Sequence, residues 1–371
     1  MQVPLLDLRA QFEAIRDEVL SRLMDVVESQ RFIMGPAVGE LEQAVARLCN
    51  VRFAVGVASG TDALLLSLKL LDLRPGDEVI TTPFTFFATA GAIHNAGGTP
   101  VFVDIDPATF NLDVEQVEQA VSARTRAIVP VHLFGQMAPM ERITALAERH
   151  GLAVVEDAAQ AIGARREIDG RWRMAGELGM TGALSFFPSK NLGGWGDGGM
   201  ILTGDEEAAE RLRKLRTHGG AKQYHHEEIG TNSRLDTLQA AVLLAKLERL
   251  AGWNETRRER ARFYDEELHE VDGITTPCVD EANEHVYHQY TVRAARRDAL
   301  KQHLHEAGIG SAVYYPKPLH LQPCFAELGY REGVFPEAER AAREVLSLPV
   351  YPELTTESQQ YVVDHIRSLP A

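Results

Sequence analysis

The chain has little cysteine, no long apolar run and a shortage of basic residues, and each lack removes a class of protein. Cys49, Cys278 and Cys324 are odd in number and far apart, which fits neither a disulfide framework nor a zinc site. They read as buried or free thiols, and no metal is expected. No apolar stretch approaches the roughly 20 residues of a bilayer span. The opening MQVPLLDLRAQFEAIRDEVL has acids among its apolar positions and no basic stretch before an apolar run. A cytoplasmic protein without membrane contact is expected. Lysine and arginine total 38 against 53 aspartates and glutamates, a formal net charge of -15. With the basic residues scattered, the long-range field repels nucleic acid. A phosphorylated ligand would need local backbone amides, hydroxyls and a few placed cations.

What the chain does have, over 371 residues at 45% hydrophobic, is the composition of a globular protein of two or three domains. Helical spacing of apolar residues covers 11–29 and Pro36–Asn50. From Phe53 apolar strands alternate with helices: FAVGVAS and TDALLLSLKLL, DEVITTP and FATAGAIHNAG, TPVFVDI, AIVPVHL and MERITALAERHG, then LAVVEDAA. Continuously apolar strands separated by helices predict a parallel sheet covered on both faces. ALSFFP and GMILTG add two short strands around a glycine loop. One long helix is predicted from about Arg234 to Glu267, apolar early and charged late. Beyond Pro277, YHQYTVRA and SAVYY read as strands, DALKQHLHEAG as a helix, and two further helices follow. The expected division is residues 1–250, a large unit with the N-terminal helices, and residues 251–371, a smaller α+β unit.

Five segments carry the chemistry. SFFPSKNLGGWGDGG places Lys190 between a short strand and a glycine-rich loop. A surface lysine is the plain reading of any single lysine. A partly neutral amine there would instead form a Schiff base with an aldehyde such as pyridoxal 5'-phosphate (PLP), and the glycines would leave room for a bulky reactant. In SGTDALLL, a strand-to-helix turn offers helix N-terminal N–H groups and the Thr61 hydroxyl to an anion, or simply caps the helix through Ser59 or Thr61. TTPFTFFAT sets Phe84, Phe86 and Phe87 past a strand end, where one ring stacks on a planar ligand or all three pack in the core. VVEDAAQA ends a strand in two acids. A buried carboxylate needs a partner, and for Asp157 that is a salt bridge, a helix cap or a protonated pyridine nitrogen, with Gln160 placed toward a ring hydroxyl. GTNSRLDTLQAA starts the long helix with a cap by Asn232 or Ser233. His218, His225 and His226 lie close together in a polar loop without metal-site spacing, open to solvent or to a substrate.

SGTDAL, TPFTFFAT, EDAAQA, the SFFPSKNLGG and GDGG run and GTNSRLDTLQAA occur in an order and spacing that resemble the DegT/DnrJ/EryC1/StrS family of PLP-dependent sugar aminotransferases. The likeness extends to IMGPAVGELE, YYPKPLHLQ and LSLPVYPEL. It implies an α/β fold of type I: a large domain with a mixed, mainly parallel sheet between helices, plus a smaller C-terminal α+β domain. By the same resemblance, Lys190 holds PLP as a Schiff base and later moves the proton, and Asp157 faces the pyridine nitrogen. Gln160 lies beside the ring hydroxyl, and Phe86 stacks on the ring. Gly60, Thr61 and Ser185 bind the phosphate, with Asn232 reaching the phosphate held by a neighbouring subunit, so a homodimer with shared sites is implied.

The implied reaction takes the amino group of L-glutamate, with pyridoxamine 5'-phosphate as the intermediate form, and delivers it to a keto group of a nucleoside-diphosphate sugar. YHHEEIGTNSRLDTLQAA and YYPKPLHLQ look more like members that aminate C3 than C4. His225, His226, Tyr315 and His320 are candidate contacts to sugar or diphosphate, or loop and packing residues. Two alternatives stand beside this reading: an aminotransferase of a cyclitol ketone, and a non-catalytic regulator that binds PLP or sugar.

Overall fold

The computed structural model describes residues 1–222 and 224–369. The helices are α1 (Leu8–Ser29), α2 (Pro36–Leu48), α3 (Gly60–Lys69), α4 (Ala88–Asn95), α5 (Val114–Ala120), α6 (Met140–His150), α7 (Glu206–Leu215), α8 (Thr237–Leu247), α9 (Leu250–Leu268), α10 (Arg297–Glu306), α11 (Pro336–Glu344) and α12 (Thr356–Arg367). The strands are β1 (Phe53–Val57), β2 (Glu78–Thr81), β3 (Thr99–Phe102), β4 (Thr125–Ile128), β5 (Ala153–Asp157), β6 (Arg165–Ile168), β7 (Arg171–Met174), β8 (Thr181–Ser185), β9 (Gly199–Thr203), β10 (Ile274–Thr275), β11 (Asn283–Glu284), β12 (Tyr290–Ala294) and β13 (Val345–Leu348).

Seven strands form one sheet in the order β1-β9-β8-β5-β4-β2-β3. β8, β5, β4, β2 and β3 are parallel, and β9 runs against both β8 and β1. The reversal has a local cause: a parallel return needs a crossover, most often helical, and the loop 186–198 between β8 and β9 holds no helix. Since β1 and β8 both oppose β9, the carboxyl ends of β1, β2, β4, β5 and β8 share one edge. That is the edge at which open α/β sheets bind ligands. Strands β2, β8 and β9 are buried along nearly their whole length, which is why they read as apolar runs without alternation.

Two apolar clusters cover the sheet's faces, one including Leu41, Ile128, Leu184 and Leu243 and the other Val55, Leu66, Val129 and Leu212. A third, including Tyr264, Tyr290, Leu300, Leu346 and Val362, surrounds the sheet β10-β12-β13 and takes in Val3 from the N-terminus. A fourth joins the edge of the large sheet to the C-terminal part through Phe84, Phe102, Phe325 and Phe335. No helix among the described residues is long and apolar enough to cross a membrane.

The long helix expected from Arg234 to Glu267 is two helices, α8 and α9. Leu243 and Leu250 belong to the large sheet's core, whereas Ala261, Tyr264 and Leu268 belong to the third cluster. The chain therefore bends at Glu248 and Arg249 to serve both. Neither Asn232 nor Ser233 caps α8, whose N-cap is Asp236. The Ser233 hydroxyl instead donates to Asp62 Oδ2 at 2.6 Å and accepts from Ala58 N at 3.2 Å, fastening this segment to the first turn of α3. SAVYY is not a strand. It makes one bridge, Ala312 to Ser347, and the place beside β12 is filled by β13, a strand not among those expected. Pro316 and Pro318 prevent continuous strand pairing there, and the segment turns toward the large sheet.

Candidate active site

The carboxyl edge collects most of the residues singled out in the sequence. Asp157 closes β5 and is 5% exposed. Its Oδ2 accepts from Thr89 Oγ1 at 2.7 Å and its Oδ1 from Ala159 N at 3.2 Å. Burial pushes its carboxyl above the ordinary carboxylate range, opposed by these two donors and by the charge of Lys190. Lys190 follows β8 on a turn closed by its own N–H to Phe187 O at 2.8 Å. Burial draws its amine down from 10.5 to about 8, against the pull of Asp157. A primary amine with that pKa is partly neutral near neutral pH, which is the condition for nucleophilic attack on an aldehyde.

The candidate phosphate residues also meet. Ser59 caps α3 by accepting from Asp62 N at 3.1 Å, so its side chain serves the helix, while Gly60 and Thr61 begin the helix with N–H groups that have no partner in the preceding turn. A Cβ on Gly60 would stand 2.7 Å from Ser185 Cβ, so only glycine permits the strand β8 end to lie against the α3 start. Thr61 is exposed and Ser185 half-buried. This is a cradle of backbone N–H groups and hydroxyls at a helix N-terminus, suited to an anion.

Phe86 is 59% exposed and Phe87, which also lies against Phe325, 48%, whereas Phe84 is fully buried. Of the two exposed rings, Phe86 is the one beside Tyr315, 6.3 Å away. Gln160 is fixed by accepting from Phe134 N at 2.6 Å and donating to the Tyr315 hydroxyl at 3.0 Å. Its amide retains a second N–H. Tyr315 thus belongs to the cluster, its phenol pushed upward by burial and by the charge of Asp157.

Other candidates stand apart. His320 is buried, its Nε2 3.1 Å from Glu339 and its ring edge-on to Phe335, so its contacts are those of a packing residue. His225 and His226 are exposed in the irregular segment 224–230, and His226 bonds His218 O at 3.0 Å. Asn232 is exposed and its backbone pairs with Thr217.

The glycines around Lys190 are required by packing as well. A Cβ on Gly193 would come within 2.2 Å of Pro188 O, and one on Gly199 within 2.3 Å of Ser59 O. They let the loop fold onto itself and against the residue that caps α3. Helix α8 holds the loop from behind: Gln239 Oε1 accepts from Trp195 N at 2.7 Å, and buried Lys246 donates Nζ to Gly193 O at 2.7 Å. Replacing Lys246 by methionine leaves the buried Gly193 carbonyl without its donor, at a cost of about 1–3 kcal/mol. A lowered melting temperature is expected in a calorimetric scan, and an unchanged one would show that the clamp contributes nothing.

Several residues of the site carry no motif that marks them. Glu156, beside Asp157, points to the opposite side of β5 and accepts from Gly176, Leu178 and Gly179 N and from His132 Nε2, the last at 2.8 Å. Ala138 N donates to His132 Nδ1, which assigns the ring proton to Nε2. The period-2 alternation of a strand is the one available signal for separating the two acids. His288, whose charged form burial and the charge of Lys190 disfavour, contacts Asn191 at 3.3 Å, and no local pattern points to it. Cys49 is buried, its thiol pushed up to about 12 by burial, and Cys278 and Cys324 are exposed.

The antiparallel β9 beside a parallel core, with a lysine after β8 and an acid at the end of β5, is the architecture of fold type I PLP-dependent transferases. The chain belongs to the DegT/DnrJ/EryC1/StrS aminotransferase family, which matches residues 13–367, and it is an aminotransferase. It is 53% identical to a pleiotropic regulatory protein of Geobacillus stearothermophilus, covering 99% of this chain and 98% of that one. It is 47% identical to a UDP-N-acetyl-3-dehydro-alpha-D-glucosamine 3-aminotransferase of Acidithiobacillus ferrooxidans, over 98% and 97% of the two chains. The crystal structure of S. venezuelae DesV with a ketimine intermediate superposes with a TM-score of 0.95 at 45% identity, over 99% and 98%.

Proposed function

We propose that this chain moves an amino group from L-glutamate to a keto group of a nucleoside-diphosphate sugar, C3 favoured over C4, in amino-sugar biosynthesis. The observation that carries the reading is the Lys190 amine, held at about 8 close to the buried Asp157 carboxyl. PLP, when bound, supplies an aldehyde that takes an amine and a ring that accepts electrons. The residues fit that group. Lys190 holds it and moves a proton at the substrate carbon, and Asp157 keeps the ring nitrogen protonated through a charge-assisted hydrogen bond. Phe86 would stack on the ring, and Gln160, through its free N–H, would serve the ring hydroxyl. Gly60, Thr61 and Ser185 bind the phosphate. The chain pairs as a homodimer in which the partner's Asn232 completes the phosphate site, and Tyr315 contacts the sugar. His225 and His226 reach it from the exposed loop. The preference for C3 is supported by the 3-aminotransferase at 47% identity.

The test is spectroscopic. Purified protein with PLP should be yellow, and L-glutamate should bleach the visible band. A 3-keto nucleotide sugar should restore it faster than a 4-keto one or scyllo-inosose. Recovery with the cyclitol alone overturns the nucleotide-sugar reading, and a band that glutamate never bleaches favours the regulator. The rate at which the cofactor-free chain captures PLP should rise with pH through about 8 as Lys190 loses its proton. A flat profile would contradict the assignment of that amine.

A further inference from the structure

We propose that Thr85 and Thr89 form a positioning relay for Asp157, holding the carboxylate charged and turning one oxygen toward the ligand. Both threonines are buried. Thr89 Oγ1 lies 2.7 Å from Asp157 Oδ2 and 3.1 Å from Thr85 Oγ1. A charged carboxylate only accepts, so Thr89 must donate to it, and the single proton left for the other contact belongs to Thr85. The chain Thr85 to Thr89 to Asp157 therefore has one direction, and each donor strengthens the next.

The relay and the exposed ring are one piece of backbone. Thr85 and Thr89 are four residues apart at the entrance to α4, Phe86 lies between them, and Thr89 N donates to Phe86 O at 3.3 Å. Oδ2 is occupied by Thr89, while Oδ1 accepts only a 3.2 Å bond from Ala159 N among the described residues. Oδ1 is thus the oxygen with capacity to spare. β-Branching restricts Thr89 χ1, which fixes where the hydroxyl points. Orienting Oδ1 for a ring nitrogen rests on the function proposed above, whereas keeping the carboxylate charged does not.

Burial raises the Asp157 carboxyl and the Thr89 hydroxyl lowers it. The other groups that face this carboxylate are Lys190 on the β8–β9 loop, His132 after β4 and Tyr315 from the C-terminal part. All three residues are retained in a threonine variant, so any difference in profile originates in the missing hydroxyl, acting on Asp157 and through it on Lys190. A carboxyl raised on folding makes the protein more stable at low pH, and that advantage is lost as pH rises from the ordinary carboxylate range to the folded pKa. Without Thr89 the folded pKa is higher, so the loss continues further upward.

The experiment compares the wild type with Thr89→Val and Thr89→Ser as full-length chains stripped of cofactor, by denaturant unfolding from about pH 5 to about pH 9. The valine variant should fall further behind the wild type as pH rises, and serine should restore the wild-type profile. With PLP added, the dissociation constant of the valine variant should rise about tenfold, the size of one lost hydrogen bond to a charge, and that of serine by less than about twofold. A stability gap constant with pH, or a serine variant as impaired as valine, overturns the relay. Should Thr89→Val not fold, Thr85→Val carries the same test with the same sign. A widening gap in a chain that binds no PLP would leave the charge-holding role standing and sink the cofactor reading alone.

Discussion

Replacing Lys190 by alanine is expected to lower turnover at least about a thousandfold, within the range that a positioned acid or base contributes, and to remove the visible band of covalently held PLP. The fold should survive. The turn around Lys190 is closed by backbone bonds, Lys190 N to Phe187 O and Gly194 N to Phe186 O, both at 2.8 Å, and alanine keeps both. The variant also relieves the folded protein of an amine whose charge burial disfavours, so its cofactor-free form should be no less stable than the wild type near neutral pH. Steady-state assays with L-glutamate, together with absorbance spectra of the loaded protein, check both halves. Turnover close to wild type would remove Lys190 from the chemistry.

Asp157→Asn separates charge from shape and should lower kcat about a hundredfold or more. Asparagine retains a carbonyl oxygen for Thr89 or Ala159, so position is conserved while the charge proposed to face the ring nitrogen is lost. Two further effects have defined signs. The charge of Asp157 holds the Lys190 amine up at about 8 against burial, so in the variant PLP capture should have its midpoint at lower pH. The wild-type carboxyl is raised on folding, so wild-type stability declines as pH rises from the ordinary carboxylate range, and the variant lacks that decline. The variant should therefore gain stability relative to wild type with rising pH while losing activity, the trade expected of a residue kept for function. An unaffected kcat would make Asp157 a structural acid.

Much of this site is legible in the sequence because its parts sit on short segments with strong local signals. Apolar runs mark the central strands, and the polar residues that end them, Ser59, Asp157 and Ser185, mark the carboxyl edge. What cannot be read this way depends on contacts far apart in the chain. Phe84, Phe86 and Phe87 are alike in sequence, and only packing against Phe110 and Tyr315 buries Phe84 while Phe86 and Phe87 stay exposed. Tyr315 joins Gln160 across the two parts of the chain, and the same pull removes SAVYY from the small sheet. Helix propensity predicts one helix straight through Glu248 and Arg249, where two cores compete for α8 and α9. The glycine loop lies where expected, and a packing reason for its glycines, set by Pro188, Gln239 and Ser59, is not legible in the sequence.

The central claim is that one lysine carries the cofactor. Reducing the PLP-loaded chain with borohydride, digesting it and mapping the pyridoxyl mass by tandem mass spectrometry tests it most directly. The label is expected on Lys190 alone, lost when L-glutamate is added before the reductant. A label on another lysine, or none, would contradict it.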